Sequence, residues 1–310
     1  MSKFLLKIIG LTTLISSIYF LLGFLADGKT DPFYLRFTSP KQSSLIIGTS
    51  RAAQGIVPKV LNNIILKDNL EGDLYNYSFT ILHSPFGETY YNAIEKKLDR
   101  QTIKGLFIIA VDPWSIASRT DIDHLRETEL ELAKITIYNN FPNYDYLKNA
   151  YQKSFFNLLI DKTFPEKSKP VSMFLHNDGW LEVSVDTTEG MILKASKEKI
   201  NDYKNNQLPL NKISKDRLTY LEKTIKLLKT HGEVILIRIP VDKRMLIIEN
   251  QLDPVFNDRM RKISDIYDIS YLSYKDENYI FPDGNHLYKE SGKKFSIKLA
   301  EDINQLFINE

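Results

Sequence analysis

Two periodicities divide this chain. Continuous apolar runs of strand length recur at Ser44-Leu45-Ile46-Ile47, at Gly105–Val111 and at Val234–Val241, each bounded by small or polar residues. A run of that kind suits a strand covered on both faces, as in a parallel sheet. Leu74–Phe79 has strand composition, and Ser270–Leu272 reads as a further short strand. Between these runs the spacing lengthens to that of a helix. Pro58–Leu66 fits a helix with proline tolerated in its first turn. Glu88–Leu98 places Tyr91, Ile94 and Leu98 on one face. Ser214 is an N-cap candidate for a helix to His231, with Leu218, Leu221, Ile225 and Leu228 as its stripe and Gly232 at its end. Phe256–Tyr267 and Lys289–Phe307 are also helical, the last with Phe295, Leu299, Ile303 and Leu306 facing inward. Strand–helix alternation with buried strands predicts an α/β fold: three layers, α/β/α, around a mainly parallel sheet.

Two stretches depart from this rhythm. Asp31–Gln42, with Pro32 and Pro40, reads as a linker. Residues 115–213 are long, mixed in charge and rich in Tyr, Asn and Phe, too aromatic for disorder. They read as an insertion with helices near Asp123–Tyr138 and Tyr144–Leu159, and a strand pair at Trp180–Val185 and Met191–Leu193.

The N-terminus adds a third region. Ile8–Leu25 is an 18-residue run without a charge, preceded by Lys3 and Lys7 and followed by Asp27 and Asp31. A helix over Phe4–Leu25 spans a hydrocarbon core of about 30 Å. The basic flank places the N-terminus in the cytoplasm and the remainder outside, in the periplasm or at the cell surface. A cleaved signal peptide is the rival reading. Its apolar stretch is usually shorter, and no good small-x-small cleavage site precedes Asp27. The expected organisation is a membrane anchor over 1–30 and one domain over 31–310, interrupted by the insertion.

Composition narrows the chemistry. The 310 residues are 43% hydrophobic and 26% charged, which is ordinary for a globular protein with a substantial core. A net charge of +2, with basic and acidic residues interspersed, argues against a nucleic-acid partner. The absence of cysteine excludes disulfides, thiolate catalysis, Fe–S clusters and a cysteine-linked lipid anchor. His83, His124, His176 and His231 show no metal-ligand spacing, and no cofactor is expected.

What remains is a pair of motifs at opposite ends of the chain. Gly48-Thr49-Ser50-Arg51 follows the first strand, and Phe281-Pro282-Asp283-Gly284-Asn285-His286 precedes the last helix. A serine hydroxyl needs a base, histidine is the side chain suited to that task, and a carboxylate on its other nitrogen fixes the tautomer. Asp283 and His286 stand three residues apart, so one turn of loop sets them side by side, with Gly284 allowing the bend. In open parallel sheets, sites collect beyond the carboxyl ends of the strands. Ser50, Ser78, Asp112 and Arg238 all lie at or near such ends. On these residues alone, Asn76 is read as holding a loop by backbone hydrogen bonds, Asp112-Pro113 as a strand stop, and Arg238 as a buried cation needing a carboxylate or water.

This arrangement resembles the SGNH hydrolase superfamily, and more closely its membrane-anchored extracytoplasmic branch. That branch includes the teichoic-acid D-alanyl-transfer and alginate O-acetylation proteins. Gly48-Thr49-Ser50-Arg51 is similar to the first block, Asn76-Tyr77-Ser78 to the second, Val111-Asp112-Pro113 occupies the place of the third, and Asp283-x-x-His286 matches the last. The resemblance covers residues 43–113 and 214–307 and implies a flavodoxin-like sheet. It also implies Ser50 as nucleophile, His286 as base, Asp283 as orienting carboxylate, and an oxyanion hole from the Ser50 N–H and Ser78. The superfamily commonly has glycine at the place of Ser78 and asparagine at that of Asp112. An ionised aspartate cannot donate to an oxyanion, and Arg51 is a candidate for compensating charge.

The activity so implied is a serine O-acyltransferase or esterase working on an extracytoplasmic polysaccharide, with a multi-spanning membrane O-acyltransferase as donor partner. In that reading the insertion's aromatics shape a glycan groove. The alternative is a non-catalytic glycan-binding or assembly protein on a degenerate scaffold. A third reading, a cytoplasmic α/β enzyme, requires the N-terminal run to be a core helix.

Overall fold

The computed structural model describes residues 2–65, 70–80, 85–120, 131–151, 153, 154, 156–163, 171–275 and 277–309. Helix α1 (Ser2–Gly23) has 22 residues, a length of about 33 Å. Its side chains are exposed from Lys3 to Leu21, and it is long and apolar enough to span a membrane or to serve as a signal sequence. At its foot Phe20 stacks on Tyr144, whose hydroxyl donates to the Phe20 carbonyl at 2.5 Å.

The centre is a five-stranded parallel sheet: β1 (Ser44–Ile47), β2 (Leu74–Asn76), β3 (Gly105–Ala110), β8 (Gly232–Arg238) and β9 (Ser270–Ser273), in the order β2-β1-β3-β8-β9. Successive residues of β1 and β3 enter opposite cores. Leu45, Ile47, Phe107 and Ile109 face one, and Ile46, Leu106 and Ile108 face the other. The first core is closed by α5 (Glu88–Lys97), α10 (Lys215–Lys229) and α12 (Phe256–Tyr267). The second is closed by α3 (Ser50–Gly55), α4 (Pro58–Ile64) and α13 (Lys289–Asn309). Burial on both sides is why these strands read as unbroken apolar runs. Strand order reverses between β1 and β3, which makes the loops after those two strands the expected crevice.

Several expectations change. Asp31–Gln42 is not a free linker: it contains α2 (Tyr34–Thr38), with Tyr34, Arg36 and Phe37 buried. Arg36 donates to the carbonyls of Asn76, Gly179 and Pro32 and lies 5.2 Å from the Phe79 ring centre. Burial lowers its pKa to about 10. Between β3 and α10, antiparallel β4 (Ala117–Arg119) and β7 (Asn211–Ile213) pair at the insertion's entry and exit. Inside it are α6 (Glu131–Lys134), α7 (Tyr144–Asn149) and α8 (Asn157–Thr163), so the second expected helix is two short ones. Residues 121–130, including the first half of the first expected helix and His124, lie outside the described residues, as does His83. The strand pair has a different partner. β6 (Leu181–Val185) pairs with β5 (Val171–Leu175), whereas Met191–Leu193 lies in α9 (Glu189–Asp202). A three-residue apolar run fits either period, and the polar residues after it continue a helix. α11 (Lys243–Leu252) was not expected at all.

One buried lysine has a consequence for stability. Lys97 is fully buried and donates to the Ser39 carbonyl and hydroxyl and to Asn139 Oδ1, at 2.6, 2.9 and 2.8 Å. Burial lowers its pKa to about 7. In the unfolded chain a lysine holds its proton to about 10.4. Between these values the unfolded state binds the extra proton, so stability rises with pH across the window and is least below it. Denaturation midpoints compared at about pH 7 and about pH 9.5 should rise in the native protein, with a smaller rise in Lys97→Met.

Candidate active site

The site is built where head and tail of the chain pack together. β1 ends at Ile47 and is followed by Gly48, where an added Cβ would fall 2.9 Å from the Cβ atoms of both Ala52 and Ala110. Only glycine lets the strand turn this tightly between β3 and α3. Thr49 precedes the helix in extended conformation, and Ser50 is the first residue of α3. Its backbone N–H belongs to the first turn, where N–H groups have no partner within the helix.

α13 carries the other half. Gly292 approaches the carbonyls of Gln54 and Gly55, Ser296 Oγ accepts the Val57 N–H at 2.8 Å, and Leu287 packs on Gly55. This docking delivers the preceding loop to Ser50. In that loop Asp283 Oδ1 accepts the N–H groups of Asn285 and His286 at 3.0 and 2.9 Å. Gly284, at φ +77°, makes the turn. Asp283 Oδ2 accepts from His286 Nδ1 at 2.8 Å, and His286 Nε2 stands 2.8 Å from Ser50 Oγ. With the proton on Nδ1 held by the carboxylate, Nε2 presents its lone pair to the serine hydroxyl. Burial works to raise the Asp283 pKa. The adjacent imidazole and the hydrogen bonds outweigh it and hold the carboxyl well below its usual range.

Behind this trio runs a buried ionic network. Arg51 donates to Asn285 Oδ1 from Nε and Nη2, at 3.1 and 2.6 Å, and to Glu249 Oε1 at 2.5 Å. Glu249 Oε2 accepts from Arg238 at 2.7 Å, and Arg238 also reaches Asn257 Oδ1 at 3.1 Å. Arg51, Arg238 and Glu249 are all within 5% of full burial. Burial alone would lower the Arg51 pKa, but Glu249 and Asp112 hold it raised. Arg238 thus has its carboxylate, and it connects to Arg51, beside Ser50, through the two ion pairs of Glu249.

The remaining candidates divide. Asp112 lies beside the site. Its Oδ1 accepts the Ser115 N–H at 2.9 Å as cap of the 3-10 turn Pro113–Ile116, and its Oδ2 meets the Thr49 hydroxyl at 3.4 Å and Arg51 at 3.8 Å. Burial raises its pKa against the pull of Arg51. Asn76 donates to the carbonyls of Ala52 and Ile56 and accepts the Ser78 N–H, which ties β2 to α3. Ser78 is fully buried, with its hydroxyl donating to the Ile46 carbonyl at 3.3 Å. Both Ser78 donors are therefore spent inside the protein.

Two neighbours were not read from sequence as site residues. Asn285 Nδ2 lies 3.3 Å from His286 Nε2. Tyr203 packs edge-on to Trp114 at 4.8 Å, and burial pushes its pKa up to about 12. Of the remaining histidines, His176 meets Glu182 at 2.9 Å and stacks on Trp180, and His231 Nδ1 meets the Thr102 carbonyl. Among the described residues no group of three or more acidic or histidine side chains is arranged to hold a metal. No protein-family model matches the chain, and no curated protein or solved structure does.

Proposed function

We propose that this chain is a membrane-tethered serine esterase or O-acyltransferase of SGNH type that works through an acyl-Ser50 intermediate. The observation that carries the reading is the Ser50–His286–Asp283 relay, with both contacts at 2.8 Å, assembled from residues 236 positions apart. His286 Nε2 takes the hydroxyl proton as Ser50 Oγ bonds to an ester carbonyl carbon. The tetrahedral oxyanion collapses, the ester C–O bond breaks, and the leaving alcohol departs with the proton from Nε2. A second alcohol, or water, then gives its proton to Nε2 as its oxygen bonds to the acyl carbon; the bond from that carbon to Ser50 Oγ breaks, and Oγ regains the proton from Nε2.

Asn285 supplies the donor that Ser78 and Asp112 do not. An imidazole nitrogen has one lone pair, yet two donors converge on Nε2: the Ser50 hydroxyl at 2.8 Å and the Asn285 amide at 3.3 Å. The shorter contact takes the lone pair and leaves the amide with hydrogens to give. Arg51 fixes the amide's orientation through Oδ1. With the Ser50 N–H, it forms a two-donor oxyanion site. Asn285→Ala should lower kcat by about 10²–10³ while KM changes little, as measured by ester hydrolysis.

The resemblance in motif order favours an extracytoplasmic polysaccharide as acceptor and a multi-spanning membrane O-acyltransferase as donor. A reporter fused at the C-terminus tests the side. The competing reading, a non-catalytic glycan-binding or assembly protein, draws on the engaged Ser78 and the acceptor character of Asp112. Mass analysis after quenching with p-nitrophenyl acetate separates them. An acetyl adduct on the Ser50 peptide, absent in Ser50→Ala, supports catalysis, whereas an unmodified Ser50 supports the binding role.

A further inference from the structure

A cavity of about 170 Å³ opens beside the catalytic histidine. Its apolar walls are Val183 and Val185 of β6, Met191 and Ala195 of α9, and Pro282 and Leu287 flanking the catalytic loop. Its polar lining is Gln54, Asp186 and the Asp283–His286 pair; Ser50 is not part of it. The insertion and the catalytic loop thus build it together. The insertion is fastened there: Trp180 Nε1 donates to the Gln54 carbonyl at 2.9 Å, and Lys289 reaches Glu182 and Ser184. α9 also lies over the catalytic turn, where a Cβ added at Gly284 would come into contact with Ile200 and Ser196.

We infer that this cavity holds an apolar substituent of the alcohol, about five or six carbons in size, that leaves from or arrives at the acyl-enzyme. The inference rests on the reading of Ser50 and His286 as the transfer pair. In that reaction Nε2 exchanges its proton with the alcohol oxygen, so the alcohol lies against the imidazole while the acyl group stays on Ser50. A space walled by His286 and not by Ser50 is therefore on the alcohol's side. Its size sets the class. A dry cavity of about 150 Å³ accommodates benzene, so methanol or a bare hydroxymethyl group would leave most of this one empty. The acceptor is an alcohol that carries an apolar arm of that length, such as a sugar bearing an N-acyl chain of about five or six carbons, rather than one hydroxylated on every carbon.

The test uses the full chain in detergent and a series of n-alkyl acetates from methyl to octyl, which vary the alcohol and keep the acyl group constant. Each buried methylene is worth about fourfold in kcat/KM. The ratio to methyl acetate should climb by about that factor per carbon and level off near five or six carbons. Measured as a ratio within each variant, the climb should vanish in Ala195→Phe, which fills the cavity, and extend to longer chains in Met191→Ala, which enlarges it. A second readout does not need turnover: 1-pentanol should shift the Met191 methyl resonance saturably, and less so in Ala195→Phe. Turnover with a flat ratio and no Met191 shift would overturn the pocket and leave the Ser50 reading intact. Pentanol binding in a protein that cleaves no ester would overturn the Ser50 reading and the assignment to an alcohol with it.

Discussion

Asp283→Asn should cost about 10⁴ in turnover while the fold persists. Asp283 has three acceptor contacts in the turn, two from backbone N–H groups and one from the imidazole. The backbone contacts survive if the asparagine keeps its carbonyl at the Oδ1 position. Its amide nitrogen then faces His286 Nδ1 as a donor. The imidazole responds by moving its proton to Nε2, which leaves no lone pair for the Ser50 hydroxyl. The base is present but in the wrong tautomer. The same logic gives a pH expectation. Because the Asp283 carboxyl is held well below its ordinary range, any acid limb of the activity profile in weakly acidic solution does not come from its protonation. A steady-state comparison of wild type and Asp283→Asn, with thermal unfolding of both, checks the first point. Loss of the folded state instead would assign Asp283 to the turn more than to the base.

The second large effect falls on stability. Glu249 is fully buried between two arginines, with Oε1 on Arg51 and Oε2 on Arg238. Removing it takes the carboxylate from Arg238 and leaves Arg51 with the longer contact to Asp112 at 3.8 Å, both guanidinium groups having almost no access to water. Breaking a buried pair by deleting one partner typically costs about 3–5 kcal/mol. Glu249→Leu should therefore destabilise by at least that much, with Glu249→Gln intermediate because its amide oxygen still accepts one hydrogen bond. Activity should fall as well in whatever folds, since Arg51 also orients Asn285. Denaturant midpoints give the first quantity. The kcat of Glu249→Gln at a temperature where it is folded gives the second.

The parts of this molecule legible in sequence share a physical cause. Ser50, Asp283 and His286 were readable because each sits in a local context that constrains it: a strand end, a turn and a helix start. The sheet was readable because β1, β3 and β8 are buried on both faces and carry few polar interruptions. What failed depends on contacts distant in sequence. Asn285 stood inside the quoted motif, but the orientation of its amide is set by Arg51, 234 positions away. Glu249 lies on a helix that periodicity did not mark, and only the pairing of α11 with Arg51 and Arg238 gives it meaning. Asp31–Gln42 carries two prolines and looked like a tether, yet Tyr34 and Phe37 enter the core. Ser78 was expected to face the oxyanion, and its hydroxyl instead turns back onto β1. The insertion's aromatics were expected to line a groove. Tyr146, Tyr151 and Trp180 are buried, Phe141 packs at the foot of α1, and near the site Tyr203 packs on Trp114 while Trp180 is tied to the Gln54 carbonyl.

The most direct measurement is labelling of the full chain with a fluorophosphonate, followed by peptide mapping. The account predicts phosphonylation at Ser50 alone, lost in Ser50→Ala and strongly slowed in His286→Ala. Labelling that persists in Ser50→Ala, or a wild-type protein that takes no label while folded, would contradict it.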